Sequence, residues 1–482
     1  MTISIDHSSF QSIKSIVIIL LLFIPLLLIS QEKKAWTIMH YAAGSNSSEV
    51  DLLDDVGEMM QGKQSEDYDL ILLIDRTAGH SNDSTTLGEN FIETRLYRIL
   101  QNAYEELDGK EFLSEIRPGN THDLNMADAN TLKLFIQYCK KYHPAENYML
   151  ILRSHGSGLS MCPDHESGKR DQLYPGEIND VLTKNESVNI LGLDVCSMAG
   201  LENLYEWRPD GKSFGADYVI ASAPVSAAWA YDQILGRLQS NKDSSTTDEN
   251  YFSQGKENNI DPKTMKPLTF AKMIMEEIYD NQPWASWGLF DNSQIGKVKS
   301  NIDDLSKYLV NEDPSILTDI INNALSYHHV FGDDTETARL TQPYIDAYDF
   351  FNKIANNKSL SDPSRKKAKI IGEHLDNLVL YSYYGRGYLP TISDFIEKKS
   401  GVYLILPLGN RIYSKSGASF WSHSNWFHPY NQEKIGNAYG MYDWCSDGAT
   451  SGNLKVDNFF ELLDFLFDIN NDRNGGLNKY QW

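Results

Sequence analysis

The sequence predicts an α/β fold with a mainly parallel sheet and helices on both faces. Short apolar runs typical of buried strands alternate with amphipathic helical patterns, which favours parallel strands joined by helical crossovers. Three of these runs, residues 69–75, 148–152 and 189–193, are almost continuously apolar, as in strands covered on both faces. Because sequential strands are usually neighbours, we expect the last two to lie close together.

The other elements follow the same alternation up to about residue 240. The stretch Trp36-Thr-Ile-Met-His-Tyr41 is rich in β-branched and aromatic residues, which favours a first strand. Asp128 provides a cap and Pro144 a stop for a helix between them. Further strands are predicted over residues 93–100 and 217–222, and further helices over residues 50–60, 178–182 and 198–207.

The pattern changes after a polar stretch at residues 241–262. Helices are then predicted over residues 268–279, 295–311, 314–328, 344–356 and 365–378, followed by a strand over 401–407 and a helix over 457–467. We therefore expect an α/β core over residues 31–240. Residues 241–482 form a mostly helical accessory region that returns the late strand and the final helix to that core.

Composition limits the possible partners. The chain has 482 residues, of which 41% are hydrophobic, and this suits a globular protein. Its formal net charge of −23 argues against nucleic acid as a partner, because phosphate binding needs a basic surface. The same charge disfavours adsorption to anionic lipid and is compatible with basic substrates.

The N-terminus carries a signal for export. Residues 15–29 form an almost unbroken apolar run, with Lys14 before it and a polar stretch after it. This length suits the core of a signal peptide and is short for a bilayer span of about 20 residues. Residues 1–30 are therefore predicted to be a signal peptide, with an uncleaved N-terminal anchor as the alternative. We expect an exported protein that is secreted, periplasmic or on the cell surface, with no other membrane segment.

The four cysteines, Cys139, Cys162, Cys196 and Cys445, are too sparse for a fold held together by disulfides. One of them stands apart, because it follows the predicted strand over residues 189–193 directly. The sequence there reads Asp-Val-Cys-Ser-Met.

A histidine follows the other apolar strand in the same way, within the sequence Arg-Ser-His155-Gly156-Ser-Gly. If the two strands are parallel neighbours, His155 and Cys196 emerge at one edge of the sheet. A thiol attacks a carbonyl as thiolate, and histidine can accept its proton and later protonate the leaving amine. Gly156 would let backbone N–H groups approach a developing oxyanion, with the N–H of Cys196 as a second donor. The alternative is an inert buried cysteine and a histidine in an ordinary turn.

These residues resemble the clostripain family of cysteine peptidases, in the clan of caspases, legumains and gingipains. The family's pattern of apolar strand, His-Gly-Ser-Gly, apolar strand and Asp-x-Cys-x-Met matches residues 150–158 and 191–198. Similarity extends over about residues 35–232. The resemblance implies a caspase–haemoglobinase-like sheet and a catalytic dyad of His155 as acid/base and Cys196 as nucleophile. It also implies peptide or protein substrates cleaved after Arg or Lys.

The resemblance also suggests substrate-binding residues. Asp194 matches an Asp two residues before the family's Cys and is the first candidate for an acidic specificity pocket; the alternative is a helix-capping role. Ser222 opens the segment 222–229, which is less polar and acidic than the family's pocket wall. Arg153-Ser154 stands where members commonly have Trp-Asp. An alternative function is therefore a catalytically silent surface or binding protein whose altered segment blocks substrate.

Two further expectations concern processing and ions. Some family members are activated by self-cleavage between the His and the Cys, and Lys169-Arg170 lies in that loop, where a solvated basic pair is the alternative. A His–Cys dyad requires no cofactor, and no metal site is expected. Calcium is a possible stabilising ion, because the resemblance is to a family in which some members use calcium. Asn470, Asp472, Asn474 and Gly475 also imitate the start of a calcium loop. Gln481 stands where that loop needs a bidentate Glu, so a turn is expected instead.

Overall fold

The computed structural model describes residues 33–165, 171–242, 259–327, 343–383, 399–406, 439, 442–448 and 456–467. Its strands are β1 (Lys34–Ala42), β2 (Tyr68–Ile74), β3 (Arg95–Leu100), β4 (Ala103–Glu106), β5 (Ala145–Arg153), β6 (Met161–Asp164), β7 (Asp171–Leu173), β8 (Val188–Asp194), β9 (Ala216–Ser222), β10 (Trp287–Asp291), β11 (Tyr344–Asp346), β12 (Val379–Ser382) and β13 (Tyr403–Ile405). Its α-helices are α1 (Glu49–Gly62), α2 (Ala129–Tyr142), α3 (Pro175–Val181), α4 (Leu201–Glu206), α5 (Tyr231–Gly236), α6 (Pro267–Asn281), α7 (Ile295–Leu309), α8 (Pro314–Asn323), α9 (Ala347–Asn356), α10 (Asp362–Leu378), α11 (Asp443–Ser446) and α12 (Phe459–Phe467).

The main sheet has nine strands in the order β12-β10-β9-β8-β5-β1-β2-β3-β4. The central strands β9, β8, β5, β1 and β2 are parallel. The strands at both edges pair in antiparallel fashion. The predicted α/β class is thus confirmed, and the parallel arrangement holds for the centre of the sheet.

Helices cover both faces of this sheet. One hydrophobic cluster packs α1, α5 and α6 against one face, and the other packs α2, α4 and α7 against the opposite face. Alternate residues of β1 join the two clusters, Met39 and Tyr41 one and Trp36 and Ile38 the other, as the pleat of a strand requires. This double cover explains why the central strands are apolar along almost their whole length.

The second half of the chain contributes more strand than its helical patterns indicate. Strands β10 and β12 extend one edge of the main sheet, although the sequence suggests no strand there. Strand β13 falls within the predicted strand 401–407, but it pairs with β11 in a separate two-stranded sheet. Strand β11 takes the first residues of the predicted helix 344–356, and α9 begins at Ala347, where Asp346 caps it.

The segment between β5 and β8 contains two further strands, β6 and β7, which pair in antiparallel fashion. Among the described residues, no helix is long and apolar enough to cross a bilayer. The predicted signal peptide or anchor, residues 1–30, lies outside the described residues. All four cysteines are described, and each is a free thiol.

His40 is a wholly buried histidine at the centre of the sheet, on β1. Within the described part of the chain neither of its ring nitrogens has a hydrogen-bond partner, and the ring packs edge-on against Tyr231 at 5.1 Å between centroids. Burial, helped by the positive charge of Arg153, lowers the pKa of His40 from 6.5 to about 3. The folded protein therefore holds this imidazole neutral at neutral pH.

We expect His40→Phe to make the fold less sensitive to acid. Below about pH 6.5 the unfolded chain binds a proton at His40 that the folded chain does not bind, so this residue costs stability as the pH falls toward about 3. Phenylalanine fills similar space without titrating. The pH dependence of the free energy of unfolding should become shallower by up to about 1.4 kcal/mol per pH unit. Urea unfolding at several pH values measures this, and equal slopes for both proteins would contradict it.

Candidate active site

Strand register brings the predicted histidine and cysteine to the same edge of the sheet. Strands β5 and β8 are parallel neighbours, and Arg153 at the end of one is the register partner of Asp194 at the end of the other. His155 and Cys196 each lie two residues beyond this pair. Both residues line one cleft of about 620 Å³.

Gly156 makes the closest approach between the two loops. A Cβ atom at this position would lie 2.3 Å from the carbonyl oxygen of Cys196 and 3.1 Å from its backbone nitrogen. No side chain fits there without moving the backbone after β8. Gly156 and Met161 also form an antiparallel β-bridge. Its hydrogen bonds are made by the residues next to them, with Cys162 N donating to His155 O at 3.0 Å. The N–H of Gly156 takes no part in that bridge.

His155 is solvent-accessible and is held from the β1 side. Its Nε2 lies 2.9 Å from the hydroxyl oxygen of Ser47, in the loop after β1. The surrounding protein and the positive charge of Arg153 lower the pKa of His155 below 6.5. No local sequence pattern points to Ser47, because its contact with the ring joins residues more than a hundred positions apart.

Cys196 lies in a turn that the backbone holds firmly. Its Sγ is 3.7 Å from the carbonyl oxygen of Ser226. Burial raises the pKa of the Cys196 thiol above 9.0, and the nearby carboxylate of Asp194 raises it further. The next residue, Ser197, has a φ of 58°, and its N–H donates to Pro224 O at 2.9 Å. With the pKa of His155 lowered, the resting pair is an uncharged thiol and an uncharged imidazole.

Asp194 lies beneath the cleft surface with only 1% of its area exposed. Its Oδ2 accepts hydrogen bonds from Trp229 N at 3.2 Å and from the Tyr231 hydroxyl at 2.9 Å. Arg153 Nε lies 3.2 Å from the same oxygen and 2.7 Å from Oδ2 of Asp55. One guanidinium is therefore shared by two buried carboxylates. Burial raises the pKa of both carboxyl groups, that of Asp55 to about 8, although the positive charge of Arg153 opposes the rise in each.

Ser222, the other predicted substrate-binding residue, does not line the cleft. It is fully buried, and its hydroxyl donates to Pro224 O at 2.7 Å. Its carbonyl accepts from Ala199 N at 3.0 Å, so Ser222 helps to hold the turn after Cys196. Later residues of the same segment line the cleft instead, namely Val225, Ser226, Ala227, Ala228 and Trp229, together with Ala230 just after it.

The opposite wall of the cleft is an acidic face of α1. Asp51, Asp54, Asp55 and Glu58 all line the cleft, and their spacing is that of one helix face. Asp51 and Asp54 are exposed and Glu58 is half-buried. This spacing is visible in the sequence, but only the fold turns that face toward Cys196. Trp284 and Gln282 line another side.

The candidate processing site, Lys169 and Arg170, and the calcium-like pattern after residue 470 fall in segments outside the described residues. The described residues contain no group of three or more His, Cys, Asp or Glu side chains arranged to hold a metal ion.

An α/β sheet that carries a histidine and a cysteine at one edge has the arrangement that a cysteine peptidase needs, and comparison with known proteins gives the family. The clostripain family profile matches residues 40–460. The chain is 34% identical to clostripain of Hathewaya histolytica over 476 aligned residues, covering 92% of this chain and 89% of that protein. The protein therefore belongs to the clostripain family of cysteine peptidases.

Solved structures agree with this fold. An inactive zymogen C11 protease from Parabacteroides distasonis matches 78% of this chain and 93% of its own, with a TM-score of 0.52 and 16% identity. A secreted C11 cysteine protease from Bacteroides thetaiotaomicron, solved with an irreversible peptide inhibitor, matches 86% of this chain and 99% of its own, with a TM-score of 0.51 and 15% identity. At these identities the likeness supports the fold alone.

The uncharged resting pair predicts a broad pH profile of peptidase activity. The imidazole must be neutral to accept the thiol proton, so activity should persist as the pH falls through 6.5 and be lost below it. The thiol must keep its proton until substrate is bound, so the alkaline limb should lie above pH 9.0. The measurement is kcat/KM on one peptide substrate in buffers of constant ionic strength. An acid limb above pH 6.5 would contradict the lowered pKa of His155, and an alkaline limb below pH 9.0 would indicate a preformed ion pair of thiolate and imidazolium instead.

Proposed function

We propose that this protein is an exported cysteine endopeptidase that cleaves after Arg or Lys, with His155 and Cys196 as its catalytic dyad. The observation that carries the proposal is the contact of Gly156 with the backbone of Cys196 at the edge of an acidic cleft. This contact is expected in a family member, because the parallel register of β5 and β8 lets His155 and Cys196 emerge at the same edge of the sheet. Export rests on the apolar N-terminal run and on the secreted relative.

In the proposed reaction His155 removes the proton from Cys196 as the sulfur attacks the carbonyl carbon of the substrate. The N–H groups of Gly156 and Cys196 stabilise the resulting oxyanion. As the tetrahedral intermediate collapses, the C–N bond breaks and His155 protonates the leaving amine. A water molecule, deprotonated by His155, then attacks the thioester, and the sulfur leaves with the returned proton. The side chains suffice for this chemistry without a cofactor, and calcium stays a prediction.

Ser47 gives the imidazole a defined orientation in this scheme. If its hydroxyl accepts a hydrogen bond from Nε2–H, the neutral ring presents Nδ1 as its basic nitrogen. The basic nitrogen and the thiol are then oriented before the substrate binds, and both are uncharged.

The charge of the cleft supports the preference for Arg or Lys. Five carboxylates line it, from Asp51, Asp54, Asp55, Glu58 and Asp194. Arg153 already compensates part of the inner pair, Asp55 and Asp194. The carboxylates of α1 that face solvent therefore supply much of the field that attracts a basic side chain.

The dyad is tested with fluorogenic peptides that place Arg, Lys, Ala or Glu before the scissile bond. Wild type should cleave the Arg and Lys peptides in preference to the others. Cys196→Ala and His155→Ala should each lower kcat/KM by about a thousandfold or more, because either change removes a partner of one chemical unit. Cys162→Ala, which removes a buried thiol outside the cleft, is the matched control and should keep activity.

Two results would overturn the proposed activity or its dyad, and a third would reject only the specificity. Activity surviving Cys196→Ala would assign the nucleophile elsewhere. A wild type that turns over no member of a diverse peptide library but still binds peptides would favour the silent binding protein. Cleavage after Glu or Ala in preference to Arg would leave the dyad intact and reject the specificity.

We also propose self-cleavage near Lys169-Arg170, because the sequence between β6 and β7 contains the basic pair that the enzyme itself would recognise. On a denaturing gel, purified wild type should run as two fragments, whereas Cys196→Ala should run as one intact chain. A Lys169→Ala/Arg170→Ala variant should also stay intact while keeping the dyad. Mass spectrometry of the fragments locates the cut, and an active wild type that is never cut would contradict self-activation.

A further inference from the structure

Strand β13, from the second half of the chain, lies directly against the two catalytic loops. Tyr403 forms a parallel bridge with Gly200, and its N–H donates to Ala199 O at 3.1 Å. These partners follow Cys196 by only a few residues. A segment more than two hundred residues away is thus joined to the nucleophile turn through the backbone.

The Tyr403 side chain reaches both loops at once. Its hydroxyl oxygen is 2.6 Å from Ser197 O, in the loop of the nucleophile, and 3.3 Å from Gly158 O, in the loop of the histidine. Burial keeps the pKa of Tyr403 well above 10.0, so the hydroxyl stays a donor. The Tyr344 hydroxyl, from β11, donates to Ser157 O, and the two tyrosine rings pack with their centroids 4.7 Å apart.

Two glycines make room for these rings. A Cβ atom on Gly200 would lie 2.6 Å from a ring carbon of Tyr403, and one on Gly158 would lie 2.2 Å from the Tyr344 hydroxyl. Gly158 also has a φ of +87°, which a residue with a side chain rarely adopts. The catalytic loops and the two tyrosines therefore fit one another closely.

The contact with Ser197 lies one residue beyond Cys196. Ser197 has a left-handed backbone, which is unusual for a residue other than glycine. Pro224 O accepts from its N–H, in the peptide group that joins Ser197 to Cys196, and the Tyr403 hydroxyl donates to its carbonyl, in the next peptide group. Tyr403 therefore helps to hold the unusual backbone of Ser197 and, through Ser197, the orientation of the Cys196 turn.

We infer that Tyr403, supported by Tyr344, is a positioning residue that sets the His155 loop and the Cys196 turn relative to each other. This inference rests on the proposed function of the dyad. It gives the second half of the chain a defined role, which is to hold the two catalytic loops in place through Tyr403 and Tyr344. Loss of the Tyr403 hydroxyl should loosen the alignment of base, nucleophile and oxyanion donors while leaving the acidic cleft in place.

The test compares Tyr403→Phe with Tyr41→Phe. Both substitutions remove one buried hydroxyl that donates to a backbone carbonyl, but Tyr41 bonds to Met126, outside the catalytic loops. Tyr403→Phe should lower kcat about tenfold or more with KM changed less than about threefold, because a bond to the reacting framework is lost while substrate contacts remain. Tyr41→Phe should leave both constants near those of wild type.

A second measurement does not depend on peptidase activity. Cys196 is the most accessible of the four thiols, so iodoacetamide should alkylate it first in the folded protein. The rate and its pH dependence report how well His155 is coupled to the thiol. We expect the pH dependence to change in Tyr403→Phe and not in Tyr41→Phe. Wild type without peptidase activity would refute the proposed function, and the alkylation rates would still decide the role of Tyr403.

Tyr344→Phe keeps the test decisive if Tyr403→Phe folds poorly. Its hydroxyl holds only the His155 loop, so the expected loss in kcat is smaller, with the same unchanged KM. Equal kinetics and equal alkylation profiles in wild type, Tyr403→Phe and Tyr344→Phe would overturn the inference. A fall in activity matched by Tyr41→Phe would do the same, since it would reflect stability alone.

Discussion

The parallel pairing of β5 with β8 is the constraint on which the site depends. Because Arg153 and Asp194 are register partners, the chain leaves both strands at the same level and side of the sheet. Two residues further on, His155 and Cys196 face one cleft. A slip of one residue in this register would turn every side chain of one strand to the opposite face. The apolar cover on both faces is what holds the register.

The same edge collects charge. Asp194 comes from the end of β8, Arg153 from the end of β5 and Asp55 from α1, and together they form a buried triad with one cation and two carboxylates. Removing one member of such a group is costly, because it leaves a buried charge without a partner. In this protein the triad lies beneath the cleft surface, and the exposed carboxylates of α1 form one wall of the cleft.

The loops above this floor are braced from two directions. Ser222 and Pro224 hold the nucleophile turn from the side of β9, and Tyr403 holds it from β13. Tyr442 adds a third contact from the second half, donating to Leu159 O at 3.0 Å. A loop with a left-handed serine and a close glycine contact stays in one conformation only when its neighbours determine it fully. The second half of the chain contributes much of that determination.

The sequence by itself determined the α/β class, the strands that carry His155 and Cys196, and their meeting at one sheet edge, because apolar runs and local motifs are encoded by neighbouring residues. Only the tertiary structure decided which distant groups complete the site. In the structure Ser47 contacts the imidazole of His155, and Asp194 is buried beside Arg153. Ser222 lies outside the cleft, and Tyr403 contacts the loops that carry His155 and Cys196. The sequence also does not predict strands β10 and β12, because a short strand near the edge of a sheet is defined by its partner more than by its own residues.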